Sequence, residues 1–243
     1  MKATIKLFRI VPLLVVWGAA VLLGTGCATN GRQILLKEYG PTGAPATELS
    51  LKGKTVCLKG FECATSLTSP DPTSKPEQPA QFKFVPFTAE QSKQWEVEFK
   101  ARAKATSKSD WRDIGNIRNG FGMVMSHVYA LNDPGVWLVE TLKMDLESQG
   151  AKVVDATQAD NADICLSGKV QFCRVDIYMK IWGDLVVDLE LSPKNRTASH
   201  ACLHTEGGTA AWVGSTSEFY KPLRECRQKF SWLVSREIIR ALQ

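Results

Sequence analysis

The sequence predicts an α+β fold: a two-layer domain with a mainly antiparallel sheet and two amphipathic helices on one of its faces. Two patterns carry that expectation. Between Ile164 and Leu191 lie two β-rich runs, and in the second Leu185, Val187, Leu189 and Leu191 alternate with Asp184, Asp188 and Glu190, the period of a sheet that is wet on one side. Before and after these runs, apolar residues recur at helical spacing, first Leu138, Val139, Leu142 and Leu146, then Leu223, Cys226, Phe230, Leu233, Val234, Ile238 and Leu242. With 243 residues, 44% of them hydrophobic, the chain has the composition of a globular protein and not of a disordered one.

Residues 1–26 have the layout of a secretory signal. Lys2, Lys6 and Arg9 give a basic start, and an apolar run of 15 residues follows from Ile10 to Gly24. A helix that crosses the hydrocarbon core needs about 20, so cleavage is expected and not a permanent span. The end of the run, Leu22-Leu23-Gly24-Thr25-Gly26-Cys27, resembles the lipobox of bacterial lipoproteins, with Gly24 where that pattern favours leucine. The resemblance implies acylation of Cys27 as the mature N-terminus, and Ala28 after it implies passage to the outer membrane. Residues 27–54, with Gly31, Gly40, Pro41, Gly43 and Pro45, read as a flexible tether with a reach on the order of 30 Å. Removing residues 1–26 leaves 27 basic against 25 acidic residues, and that balance of +2 offers nucleic acid no electrostatic footprint.

Cys57, Cys63, Cys165, Cys173, Cys202 and Cys226 remain once Cys27 is set aside, and an even number in an exported chain predicts disulfides. Cys57 and Cys63, which flank Leu58–Glu62 with its Gly60, are the favoured pair, and the pairing of the other four stays open. No Cys-x-x-Cys occurs, which speaks against a redox dithiol or a zinc knuckle.

Residues 55–243 read as one domain. Thr55 to Ala64 is its first strand, and residues 65–109 form an insertion. In the insertion, Pro70, Pro72, Pro76 and Pro79 mark an exposed loop through Ala80. Trp95, Val97, Phe99, Ala101 and Ala103 then alternate with charged residues as a half-buried strand does, and Phe82, Phe84 and Phe87 supply its edge partner. Asp133 caps the next helix, Pro134 occupies its first turn and Gly150 closes it. A short strand follows over Ala151–Asp155, then the two long strands, a further strand from Ser199 to about Trp212, and a last helix opened by Pro222.

The loop from Asp113 to Gly122, the capped helix ending Gln149-Gly150, and Gly214 to Tyr220 before the last helix together resemble the YajG-like bacterial lipoproteins over about residues 55–64 and 110–243. The resemblance implies an outer-membrane lipoprotein facing the periplasm, with a small α/β domain of a kind also found in accessory lipoproteins of transporters and cell-wall synthases. It implies no settled activity.

Candidate chemistry is sparse. Gly115 and Gly120 fit the glycines of a phosphate loop, but Phe121 stands where that motif needs lysine, so a turn requiring positive φ is expected there. Strand alternation puts His200, Cys202, His204 and Glu206 on one face, and the first three are the residues a zinc ion would use in a hydrolase. No identifiable fourth ligand completes such a set, so neither metal nor cofactor is expected, and the acidic face through Asp184, Asp188 and Glu190 reads as solvated. The expected function is that of a non-catalytic module that binds an envelope protein, with the membrane held through the acyl chains. Its alternatives are an accessory lipoprotein of a lipid or solute transporter and the zinc hydrolase. Trp111, Asn116, Arg118, Phe121 and Trp182 are the candidate partner-binding residues, because aromatics and arginine concentrate at interface hot spots.

Overall fold

The computed structural model describes residues 31–41, 50–68, 72–80, 82–209 and 216–243. The expected signal, Cys27 and residues 210–215 lie outside them. Among the described residues no helix is long and apolar enough to cross a membrane.

Eight strands form one mixed sheet: β1 (Arg32–Ile34), β2 (Thr55–Cys63), β3 (Arg112–Arg118), β4 (Val124–Ala130), β5 (Lys152–Asp155), β6 (Ile164–Tyr178), β7 (Lys180–Pro193) and β8 (Ser199–Thr209). Among the described residues three helices join them: α1 (Ala89–Ala105), α2 (Pro134–Ser148) and α3 (Thr216–Leu242). The expected adjacency of the two long strands holds, since β6 and β7 form a hairpin from Ile164↔Pro193 to Tyr178↔Lys180, and β8 continues it antiparallel. The sheet is not mainly antiparallel, however. The 15-residue β6 is long enough to carry two parallel partners on its other edge, β2 against its first half and β3 against its last residues. Parallel β5 then adds to β2, antiparallel β4 to β3, and parallel β1 to β4. Between β2 and β3 the chain after Cys63 fills the notch, with Ala64 N–H on Val170 O and Cys173 N–H on Leu67 O.

The two expected helices are both present. Asp133 Oδ1 accepts from Gly135 and Val136 N–H at 2.7 and 3.1 Å, capping α2, whose Leu138, Leu142 and Leu146 are buried. In α3, Leu223, Cys226, Phe230, Leu233, Val234 and Ile238 are buried as its stripe requires, each large apolar side chain contributing about 1.5–3 kcal/mol. The helix opens at Thr216, ahead of Pro222.

The insertion departs from expectation. Residues 89–105 are a helix, not a strand, started by a reciprocal cap in which Thr88 Oγ1 accepts from Gln91 N–H at 3.2 Å and Gln91 Oε1 from Thr88 N–H at 3.0 Å. Trp95 alone in it is buried, stacked between Phe99 and Tyr220 with its Nε1–H on Leu35 O at 3.0 Å. Phe82 to Phe87 form no strand. They lie along α3, Gln228 holding the Val85 N–H and C=O at 2.9 Å each and the Arg224 guanidinium 3.6 Å from the Phe87 ring centre. The described part of the proline-rich stretch is likewise no free loop. Glu77 N–H donates to His204 O at 2.8 Å on the open edge of β8, and the Glu77 carboxylate pairs with Arg236 of α3.

The expected tether is also shorter than it reads. Ile34, Leu35, Leu36, Glu38 and Leu51 are buried, so the folded body begins at β1. Glu38 enters a water-excluded charge network between α2 and α3. Its carboxylate accepts from Arg224 Nε at 2.8 and 3.0 Å and from Tyr220 Oη at 2.8 Å, and lies 3.8 Å from Arg227, which pairs in turn with Asp145 of α2.

The six cysteines among the described residues stand as free thiols. Cys57 and Cys63 cannot pair, because six positions along one strand separate them by about 20 Å, against the roughly 6 Å between Cα atoms that a disulfide tolerates. Cys57 instead faces Cys165 across the β2–β6 ladder, and burial beside it pushes the Cys57 thiol up to about 11.

Candidate functional site at the hairpin end of the sheet

Parallel pairing of Ile117 with Ile177 sets the β3–β4 and β6–β7 turns side by side at one end of the sheet. The first turn is built by Asn119, whose Oδ1 accepts from Phe121 and Met123 N–H at 3.0 Å each, with Gly122 at φ +83°. That geometry leaves the Phe121 ring outside. The second turn passes through Met179 at φ +57°, and Tyr178 Oη donates to Gly120 O at 3.5 Å, tying the two turns together. Positive φ is thus required at Gly122, whereas Gly115 serves another purpose: a Cβ there would sit 1.7 Å from Val175 O, so the close β3–β6 approach admits only glycine.

Behind the turns, the sheet face away from α3 carries linked charges. Arg118 Nε donates to both Asp176 oxygens at 3.2 and 3.0 Å. Arg174 lies 4.8 Å from the Phe172 and 4.7 Å from the Trp182 ring centre, and its Nη2 reaches Asp184 Oδ2 at 3.3 Å. Asp184 Oδ1 is 3.6 Å from His204 Nε2, and His204 Nδ1 meets Ser74 O at 2.6 Å, which makes Nδ1 the protonated nitrogen. Burial pulls the His204 pKa down, but the Asp184 carboxylate and the Ser74 carbonyl outweigh it and hold the imidazole above its ordinary value. Asp184 is therefore buried and ion-paired, not solvated as its place in the acidic alternation suggests.

Beside Trp182 opens a cleft of about 360 Å³ lined by Gln78, Lys180, Glu206, Glu225 and Lys229 among others. Of the candidate partner-binding residues, the structure gathers Asn116, Arg118, Phe121 and Trp182 at this end: Asn116, Asp176 and Trp182 are register neighbours across three strands. Trp111 falls at the far end of β3, half-buried against Tyr129 at 5.5 Å.

The expected zinc set is not gathered. His200 and Cys202 are exposed, opposite Glu190 and Asp188, and His200 lines a different cleft with Lys59 and Glu62. The donor atoms that do converge, within 4.8 Å of one another, belong to Asp184, His204 and Glu206. The Arg174 guanidinium supplies a positive charge beside Asp184, at its Oδ2 oxygen, while Oδ1 faces His204.

No protein-family model matches the chain, and no curated protein matches it. Solved structures with a similar chain path include XCC0632 from Xanthomonas campestris, described by the family model DUF330, at 10% identity and TM-score 0.48 over 86% of this chain and 96% of that one. An uncharacterized protein matches at 12% identity and TM-score 0.46 over 86% and 99%. The hypothetical protein CT253 from Chlamydia trachomatis matches at 9% identity and TM-score 0.24 over 78% and 95%.

The sequence carries no signal for Met123, Val124, Met125 and Met179, which the structure leaves exposed on the same two turns as Phe121 or next to them. Their side chains look like core residues in a strand pattern, and only the protrusion of the two turns exposes them.

Proposed function

We propose that the chain is a lipid-anchored protein of the outer membrane, facing the periplasm like the YajG-like lipoproteins it resembles. On this reading it works by binding an envelope partner in the cleft beside Trp182 at the hairpin end of its sheet, without chemistry of its own. One observation carries the reading. Of the eight large hydrophobic side chains exposed among the described residues, five (Phe121, Met123, Val124, Met125 and Met179) stand on these two adjacent turns. Soluble proteins scatter such residues singly, and a cluster rimmed by polar groups marks a contact surface. The half-buried Trp182 and the exposed Lys180 at the neighbouring cleft give that surface an aromatic anchor and a charge.

The anchor is tested by the intact mass of the chain extracted from membranes. Loss of residues 1–26 with three acyl chains on Cys27 is the expected result. An uncleaved chain, or a Cys27→Ser variant that partitions into membranes with the same processed mass, would overturn it.

A further inference from the structure

The body begins five residues after Cys27, and its first strand has a direction. β1 runs parallel to β4 in the register Arg32↔Val128, so the chain ahead of Arg32 is aimed toward the start of β4, where the Asn119–Met123 turn lies. Five extended residues span at most about 18 Å. From Val128 back to Val124, at the turn, is four residues, or about 13 Å. An acylated Cys27 is therefore leashed within reach of the end of the sheet that carries the exposed turns, and a bilayer holding its acyl chains can lie no further away than that leash allows.

The turns have the chemistry of such a surface. Phe121 is 90% exposed and Met179 58%, and Met123, Val124 and Met125 are exposed at the start of β4. Residues 117–125 and 177–181 contain no acid, and Lys180 is exposed there, while Arg118 is paired with Asp176 behind the turns. An apolar point with an exposed lysine beside it is a pattern that enters a bilayer interface and pairs with anionic headgroups.

We infer that the paired β3–β4 and β6–β7 turns enter the phospholipid surface that holds Cys27, so that the domain stands on the membrane by Phe121, Met123, Met125 and Met179. The cleft beside Trp182 and Lys180 then faces along the membrane, open to a protein partner. The position of the bilayer rests on the lipid-anchor reading above; the lipid affinity of the turns does not.

The test uses the full chain purified from membranes and reconstituted in vesicles of phosphatidylethanolamine and phosphatidylglycerol. It carries photoreactive benzoylphenylalanine in place of Phe121, Met179 or, for comparison, Val97, which is 68% exposed on α1. Adduct masses after illumination identify what each position touches. Phospholipid adducts at Phe121 and Met179, at least about tenfold above those at Val97, are expected. Equal lipid adducts at all three positions, or adducts at Phe121 only to a second copy or another protein, would overturn the inference. The same masses report Cys27: lipid adducts at the turns of an unacylated chain would overturn the anchor reading alone, and an acylated chain without them would overturn this inference alone.

Discussion

Replacing Glu38 by alanine is expected to lower unfolding stability by about 3–5 kcal/mol, because it leaves two buried guanidinium groups without their shared carboxylate. Arg227 is fully buried and Arg224 nearly so, and neither can turn to water. Glu38 also accepts from Tyr220, which packs on Trp95 and Trp137, so the loss reaches all three helices. Urea midpoints with unchanged slopes measure the effect. Glu38→Gln keeps a hydrogen-bond acceptor and is expected to lose less. A loss below about 1 kcal/mol for Glu38→Ala would place the network in water, contrary to the structure.

Gly115→Ala is the second severe substitution. Its Cβ would lie 1.7 Å from Val175 O, 2.7 Å from Val175 C and 3.0 Å from Val175 N, all backbone, so no rotamer relieves the overlap. Either β3 separates from β6 or both strands shift, at a cost of about 3 kcal/mol or more. Gly120→Ala, five residues on, meets nothing within 4 Å and is expected to stay within about 0.5 kcal/mol of the parent. Equal melting midpoints for the two variants would refute this account of the β3–β6 junction.

These two positions show where the sequence was legible and where it was not. Asp133 and Pro134, an apolar stripe and Gly150 bracket α2, and each of those signals is local. The same holds for β6 and β7, whose alternation persists over many residues. The helix over residues 89–105 was hidden because it buries only Trp95, so its apolar residues mark no helical face and their period of two imitates a strand; the Thr88 and Gln91 cap was the signal to weigh. β1 is three residues long, and Glu38, charged and set among glycines and prolines, reads as tether until Arg224 and Arg227, some 190 residues later, are brought beside it. Parallel pairing on β6 follows from strand length and from the notch at Leu67, neither of which a strand pattern contains. At the site, Phe121, Arg118 and Trp182 were legible as residue types. Their convergence with Met179 depended on the register of β3 with β6, and the His200 and His204 alternation misled because the ring of His204 turns to Asp184 and Ser74.

The central claim, that the molecule acts by binding an envelope protein at the hairpin end of its sheet, is tested most directly by amine-reactive crosslinking in intact cells. The parent chain, a Lys180→Glu, Trp182→Ala double variant and a Val97→Glu control are compared at equal abundance and equal melting midpoint. A crosslinked envelope protein recovered with the parent and the control, and reduced about tenfold or more in the double variant, is the expected result. Equal recovery in all three would contradict the claim and place the partner's contact elsewhere on the molecule.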